Sequence, residues 1–217
     1  MMIFEFLSDL LFPPKCILCG KLLNKDETDL CRGCRAEAPE FPKSAAQLSF
    51  LDSWASVWYY EGYIRESLHR FKFRRARHYA LGYGRMLAMK LLREHPEGFD
   101  VLTWIPISPI RKLKRGYDQV ELLAKAVGVE LAMEPVRTLR KIRNNPPQSG
   151  ITGYAQRKAN VLGVYRAVNP EQIRGKRVLL LDDIITTGST ASEAARVLLT
   201  AGAEEVHFGS VAAARKK

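Results

Sequence analysis

Cysteine is scarce and confined: all four lie between Cys16 and Cys34, and everything after Cys34 contains none. That excludes a disulfide framework spread through the fold and implies a distinct N-terminal module. Long apolar runs are absent too. None approaches the ~20 residues that a bilayer span needs, so an integral membrane protein is excluded. The apolar stretch from Met1 to Leu11 is interrupted by Glu5 and Asp9, with no basic segment before it and no small-residue cleavage site after it. A short amphipathic helix fits it better than a signal peptide, and the cytoplasm is the expected compartment. The chain has no internal repeat and no low-complexity segment. Its histidines, His69, His78, His95 and His207, lack metal-ligand spacing and are assigned no role.

What is present describes a soluble globular protein, with 47% hydrophobic and 26% charged residues over 217 positions. That length suits one α/β domain of ordinary size with a small accessory module. The net charge of +11 favours an anionic partner, because a basic surface attracts phosphates; plain solubility is the competing explanation.

Residue pattern divides the chain into three parts: an N-terminal segment and cysteine module over 1–40, a linker over 41–57, and the main domain over 58–217. Pro39, Pro42, Ser44 and Ser49 break any regular pattern over residues 35–56, the connector around this linker. From Trp58 to His95, apolar residues recur at helical spacing (Ile64, Leu68, Phe71; Leu81, Met86, Leu87, Met89, Leu91). This predicts two helices broken near Arg74 to His78, as a helical cover over 58–99. The core sheet is expected in 100–217: strands at 101–107, 133–139, 161–168, 177–181 and 206–211, helices at 117–127 and 189–201, and a polar loop over 140–160. Strands alternating with helices indicate a mainly parallel sheet covered on both faces. Trp54, Trp58 and Trp104 read as core residues.

The most informative segment is Val178-Leu179-Leu180-Leu181-Asp182-Asp183-Ile184-Ile185-Thr186-Thr187-Gly188-Ser189-Thr190. A buried-strand pattern runs into two carboxylates and then a turn that opens a helix, at the carboxyl end of a strand, where ligands bind in open α/β sheets. Gly188 permits close backbone approach. The hydroxyls of Thr186, Thr187, Ser189 and Thr190, with the amides of a helix N-terminus, make a phosphomonoester pocket. Asp182 and Asp183 would repel a phosphate, so they face ribose hydroxyls or a Mg²⁺ ion. Phosphate and diol together suggest a ribose 5-phosphate. The competing reading is a plain helix N-cap after a strand, which needs only one such side chain.

This segment resembles the signature of type I phosphoribosyltransferases, whose acids hold the ribose hydroxyls and whose loop holds the 5-phosphate. Trp104-Ile105-Pro106-Ile107-Ser108, followed by Arg111, Lys112, Lys114, Arg115 and Gly116-Tyr117-Asp118-Gln119, is similar to a block of the ComF family of competence-associated phosphoribosyltransferases. So is Arg143-Asn144-Asn145-Pro146-Pro147-Gln148, with Arg157 and Asn160-Val161-Leu162-Gly163 beyond it. The resemblance implies a type I phosphoribosyltransferase fold and a 5-phosphoribosyl pyrophosphate ligand accompanied by Mg²⁺. Catalytic work falls to Asp182 and Asp183, with contacts from Thr186, Thr187, Gly188, Ser189, Thr190, Ile107, Ser108 and Arg115. It also implies a mobile loop that closes over the substrate, since an oxocarbenium-like centre must be shielded from water. Asp118, Asn145 and Gln156 depart from the family pattern, where Asn, Thr and Glu are usual.

Cys16-x2-Cys19 and Cys31-x2-Cys34 supply four soft donors in the number that selects structural Zn²⁺, with no open position for catalysis. Disulfides or a redox dithiol are the alternatives, disfavoured in the cytoplasm. A short zinc ribbon also opens ComF-like proteins.

Arg65, Arg70, Lys72, Arg74, Arg75 and Arg77 lie beside Tyr59, Tyr60, Tyr63, Phe71, Phe73 and Tyr79, a mixture that serves single-stranded nucleic acid or, more often, core packing. Three functions are compatible with these features. One is a phosphoribosyl pyrophosphate-binding competence factor acting with single-stranded DNA and other DNA-uptake proteins. The second is a salvage transferase acting on a nucleobase or amine, and the third a non-catalytic sensor of the same ligand.

Overall fold

The computed structural model describes residues 13–44, 47–74, 76–143 and 159–215. The expected helix over Met1–Leu11, Arg75, and the loop residues Asn144, Asn145, Pro146, Pro147, Gln148, Gln156 and Arg157 lie outside the described residues.

Strand β5 (Arg177–Ile185) forms the middle of the main sheet because its side chains have apolar partners on both faces. Leu179 and Leu181 join one apolar cluster, while Val178 and Leu180 join another on the opposite face. A strand buried on both sides reads as a continuous apolar run, which is why Val178–Leu181 shows no polar alternation. The sheet is parallel throughout, in the order β1-β6-β5-β2, with β1 at Ser53–Tyr59, β2 at Val101–Trp104 and β6 at Glu205–Ala213.

β1 begins inside the stretch read from sequence as a linker. Its Ser-Trp-Ala-Ser-Val-Trp-Tyr run is buried along its middle and hides behind the prolines and serines upstream. The segments expected as strands over 133–139 and 161–168 do not enter the main sheet. They yield a short β3 (Leu139–Lys141) and β4 (Tyr165–Ala167), paired antiparallel as a separate ribbon. Each is three residues long, too few for period-two alternation to set its limits.

The break expected in the helical cover is present, between α2 (Gly62–Phe73) and α3 (Tyr79–Glu94), with the short α1 (Arg32–Glu37) in the cysteine module. α3 packs against α5 (Gln119–Leu131), which follows the short α4 (Pro109–Arg115). Gly84 lets these two helices meet closely: a Cβ there would lie 2.5 Å from that of Ala126. α6 (Ser189–Thr200) covers the other face through Ala191, Ala194 and Leu198.

The cysteine module is not an appendage on a tether. Ile17, Leu18 and Leu30 share one buried cluster with Leu68, Phe71, Tyr83 and Leu179. Arg85 on α3 clasps Asp29 with two hydrogen bonds, at 2.6 and 2.5 Å. Among the described residues no helix is long and apolar enough to cross a membrane.

Candidate functional site

The sheet delivers the acidic pair and the hydroxyl loop to one place. Asp182 and Asp183 lie near the C-terminal end of β5; Thr186, Thr187 and Gly188 turn the chain, and Ser189 starts α6. Gly188 adopts φ +79° and offers no side-chain cap to α6, whose first amide, that of Ser189, donates to Thr187 Oγ1 at 3.5 Å. Thr187 and Ser189 hydroxyls bond each other at 2.9 Å, while Thr186 is exposed. A Cβ on Gly188 would meet Leu48 at 2.7 Å, so glycine serves packing by the preceding connector as well as the turn. Phe41, Leu48, Trp54 and Arg215 border a cavity of about 290 Å³ against this loop.

The two acids have different surroundings. Asp183 is 4% exposed and is held by Lys72 Nζ at 2.9 Å on one oxygen and by Gln119 Nε2 at 3.0 Å on the other. Asp182 accepts the Asp183 amide at 2.8 Å. Burial, then the adjoining Asp183 charge, holds the Asp182 carboxyl well above the usual carboxylate range, partly opposed by Lys72. Both oxygens of Asp183 are engaged, so the pair does not form a ready-made oxygen cage for Mg²⁺.

The strand-β2 loop is brought alongside. Ile105 N–H donates to Leu181 carbonyl at 2.9 Å, placing Ile107 and Ser108 beside the acids. Ser108, 1% exposed, caps α4 by accepting from Arg111 N–H at 3.3 Å. Ile107 N–H is taken by Asp118 Oδ2 at 3.1 Å, and Asp118 Oδ1 caps α5 through Val120 and Glu121 at 3.0 and 3.2 Å. The departure at Asp118 thus has a structural role: two acceptor oxygens pin the loop and cap the helix. Burial raises its carboxyl above the ordinary value, against the lowering effect of those three amides. Arg115 donates to Gln119 Oε1 at 2.8 Å and stacks over Phe73 at 4.7 Å, which links it to the acids through Gln119.

Two contributors escape the sequence motifs. Lys72 lies more than a hundred positions before Asp183, among the cations that neighbour Phe71 and Phe73. Lys141, expected in a polar loop, stands on β3 with its ammonium 5.5 Å from the Tyr165 ring centre. Burial, then Arg111, lowers its pKa to about 8, opposed by Asp182. Arg111, Arg115 and Lys141 thus gather like charge beside the acids, an arrangement that suits an anion. Arg140 and Arg143 stand on either side of Lys141, so one more cation there gives no sequence signal of its own.

The other residues of the basic and aromatic cluster divide between the core and the surface. Arg70 donates to the Leu18 carbonyl at 2.5 Å, Arg77 stacks on Tyr117 at 4.8 Å, and Phe71 and Tyr79 are buried. Among the described residues of that group, Arg65, Phe73, Arg74 and Arg77 are exposed. Trp54, Trp58 and Trp104 are core. His95 and His207, assigned no role from sequence, both hydrogen-bond Ser53, at 3.1 and 2.8 Å, toward the opposite ends of the strands.

Cys16, Cys19, Cys31 and Cys34 converge, with sulfurs all within 4.8 Å of one another and Cys19 to Cys31 at 3.7 Å. Tetrahedral Zn–S bonds of ~2.3 Å imply sulfur separations of about 3.8 Å, so the cluster fits structural zinc. Burial and the neighbouring thiols raise the Cys34 thiol far above its ordinary value.

Residues 113–217 match the phosphoribosyl transferase domain model, and residues 7–45 match the double zinc ribbon domain model. The four cysteines suffice for one zinc site of such a module. Competence protein F of Haemophilus influenzae is 25% identical over 223 residues, covering 92% of this chain and 97% of that protein. Competence protein ComFC of Bacillus subtilis is 29% identical over 189 residues (86% and 72%), and DNA utilization protein YhgH of Escherichia coli is 26% identical over 200 (88% and 86%). Among solved structures, a glutamine phosphoribosylpyrophosphate amidotransferase of B. subtilis overlaps 59% of this chain, at 30% identity and a TM-score of 0.37. The overlap spans only 25% of that larger enzyme.

A parallel sheet with an acidic pair and a hydroxyl loop at the end of its central strand, joined to a four-cysteine ribbon, defines a phosphoribosyltransferase-type protein with a zinc-binding module. Relatives named for competence match along most of its length at 25–29% identity, which supports a protein of the ComF family.

Proposed function

We propose that this chain binds 5-phosphoribosyl pyrophosphate and works in the handling of incoming DNA. The observation that carries the first half is the junction at the end of β5. Partly exposed Asp182, with buried Asp183 behind it, offers acceptor oxygens to the hydroxyls of a ribose, and the start of α6, with Thr187, Ser189 and Thr190, suits the 5-phosphate. Arg111, Arg115 and Lys141 supply cations for the diphosphate, beside the loop of Ile107 and Ser108. Mg²⁺ would neutralise charge on that diphosphate.

The chemistry of such a site is transfer. The bond from ribose C1 to the diphosphate oxygen breaks, pyrophosphate leaves with the electron pair, and an acceptor's lone pair forms the new bond to C1. Asp182 and Asp183 stabilise the positive charge that develops on the sugar. The relatives' names support DNA uptake as the setting, and the charge of +11 supports single-stranded DNA and DNA-uptake proteins as partners.

Pyrophosphate release measured against a panel of nucleobases, amines and single-stranded DNA, with DNA binding followed across salt, tests this. Binding to single-stranded DNA that weakens with salt is expected. No DNA binding, together with turnover on a free nucleobase, would overturn the DNA-handling half in favour of a salvage transferase. Ligand binding without DNA binding or turnover would do so in favour of a sensor.

A further inference from the structure

Helix α2 touches both functional centres of the molecule. Its middle grips the chain between the first two zinc ligands: Ser67 donates to the carbonyl of Ile17, and Arg70 donates to that of Leu18 at 2.5 Å and that of Ile17 at 3.4 Å. Ile17 and Leu18 lie between Cys16 and Cys19, so the positions of those carbonyls follow from how the two sulfurs are held. Two residues after Arg70, in the last turn of α2, Lys72 meets Asp183 at 2.9 Å. Phe73, next in line, lies under Arg115, and Arg115 returns through Gln119 to the other oxygen of Asp183. A ring of contacts thus closes around Asp183: Lys72, Phe73, Arg115, Gln119.

We propose that Lys72 is a cation of the ligand site and that the zinc knuckle sets its position through α2. The inference rests on the donor-site reading above. An ammonium has three donors; one serves Asp183, and the others are placed for an anionic group bound beside the acids. In 5-phosphoribosyl pyrophosphate that group is the diphosphate on C1, adjacent to the hydroxyls that the acids accept. Ribose 5-phosphate lacks it. Lys72 therefore discriminates between these two ligands, whereas a merely structural lysine would affect both alike. The ribbon's part is to keep Ile17 and Leu18 where Ser67 and Arg70 expect them, so that the last turn of α2 is delivered in register.

The test is calorimetric titration of both sugar phosphates, with Mg²⁺, into the zinc-loaded full chain and its Lys72→Met and Arg70→Met variants, with zinc content and melting recorded for each. Lys72→Met is expected to weaken the diphosphate ligand by about tenfold to a hundredfold, the worth of charged hydrogen bonds, and to change ribose 5-phosphate by less than about threefold. Arg70→Met, which cuts the knuckle contact and leaves Lys72 and every cysteine in place, should shift the same ratio by roughly three- to tenfold. If Arg70→Met does not stay folded at the assay temperature, Arg70→Lys, which keeps one cationic donor, carries this arm. An unchanged ratio in Lys72→Met while the wild type binds both ligands overturns the inference alone. An altered ratio in Lys72→Met but not in the Arg70 variant overturns the zinc link. A wild type that binds neither ligand overturns the donor-site reading and the inference with it.

Discussion

Replacing Asp118 separates its two functions. Its side chain accepts three amides, from Val120 and Glu121 at the start of α5 and from Ile107 in the loop after β2. Asp118→Ala removes a helix cap, a loss of about 1 kcal/mol, and strips the half-buried Ile107 amide of its acceptor, a further ~1–3 kcal/mol. At roughly 2–4 °C per kcal/mol for a chain of this size, melting should fall by about 5–15 °C. Asp118→Asn keeps one acceptor oxygen, so it can retain the cap but not the Ile107 contact, and should melt between wild type and Ala.

Its pH dependence has a definite sign. Burial raises the folded-state value of Asp118, so the ionised form is disfavoured in the fold. Its contribution is most favourable below the unfolded carboxylate value and is lost as pH rises from there through the folded value. The Asn variant lacks this loss, so its deficit against wild type should shrink between pH 4 and pH 7. Scanning calorimetry across that range measures it. Wild-type melting in Asp118→Ala, or a lower melting point for Asn than for Ala, would contradict these roles of Asp118.

Lys141, with its pKa lowered to about 8, must be protonated to attract an anion, so affinity for a diphosphate ligand should fall as pH rises through 8, by up to about tenfold per unit. Lys141→Arg should flatten that fall, which titrations at pH 7 and pH 9 would register; an equal slope in both proteins contradicts the assignment. Zinc removal should lower a single melting transition rather than melt the ribbon alone, because Ile17 and Leu18 share a core with Leu68, Phe71 and Tyr83. Two well-separated transitions in calorimetry with a chelator would count against that shared core.

Local features made parts of this molecule legible. The run from Val178 to Thr190 states its strand, turn and helix in neighbouring residues, and Cys16, Cys19, Cys31 and Cys34 state their site by spacing alone. The breaks in pattern near Arg74 separated α2 from α3 because apolar spacing changes phase there. Contacts between distant parts of the chain left no such trace. β1 gains its place by pairing with β6, which lies about 150 positions later, and nothing in the Pro- and Ser-containing stretch before it announces that partner. Lys72 resembles its basic neighbours until the fold sets it on Asp183, and Lys141 becomes distinctive only when β3 buries it beside Tyr165. Asp118 was visible as a departure from a motif, but its second acceptor oxygen acquires meaning only with Ile107 opposite it.

The end of β5 is proposed above as a site for a ribose carrying a 5-phosphate and a diphosphate. Calorimetric titration of 5-phosphoribosyl pyrophosphate with Mg²⁺ into the wild type and the Asp182→Asn/Asp183→Asn double variant tests it most directly. Saturable binding to the wild type and loss of at least about tenfold in the variant, with melting retained, is the predicted result. Equal affinity in the two proteins, or no binding by the wild type, would contradict it.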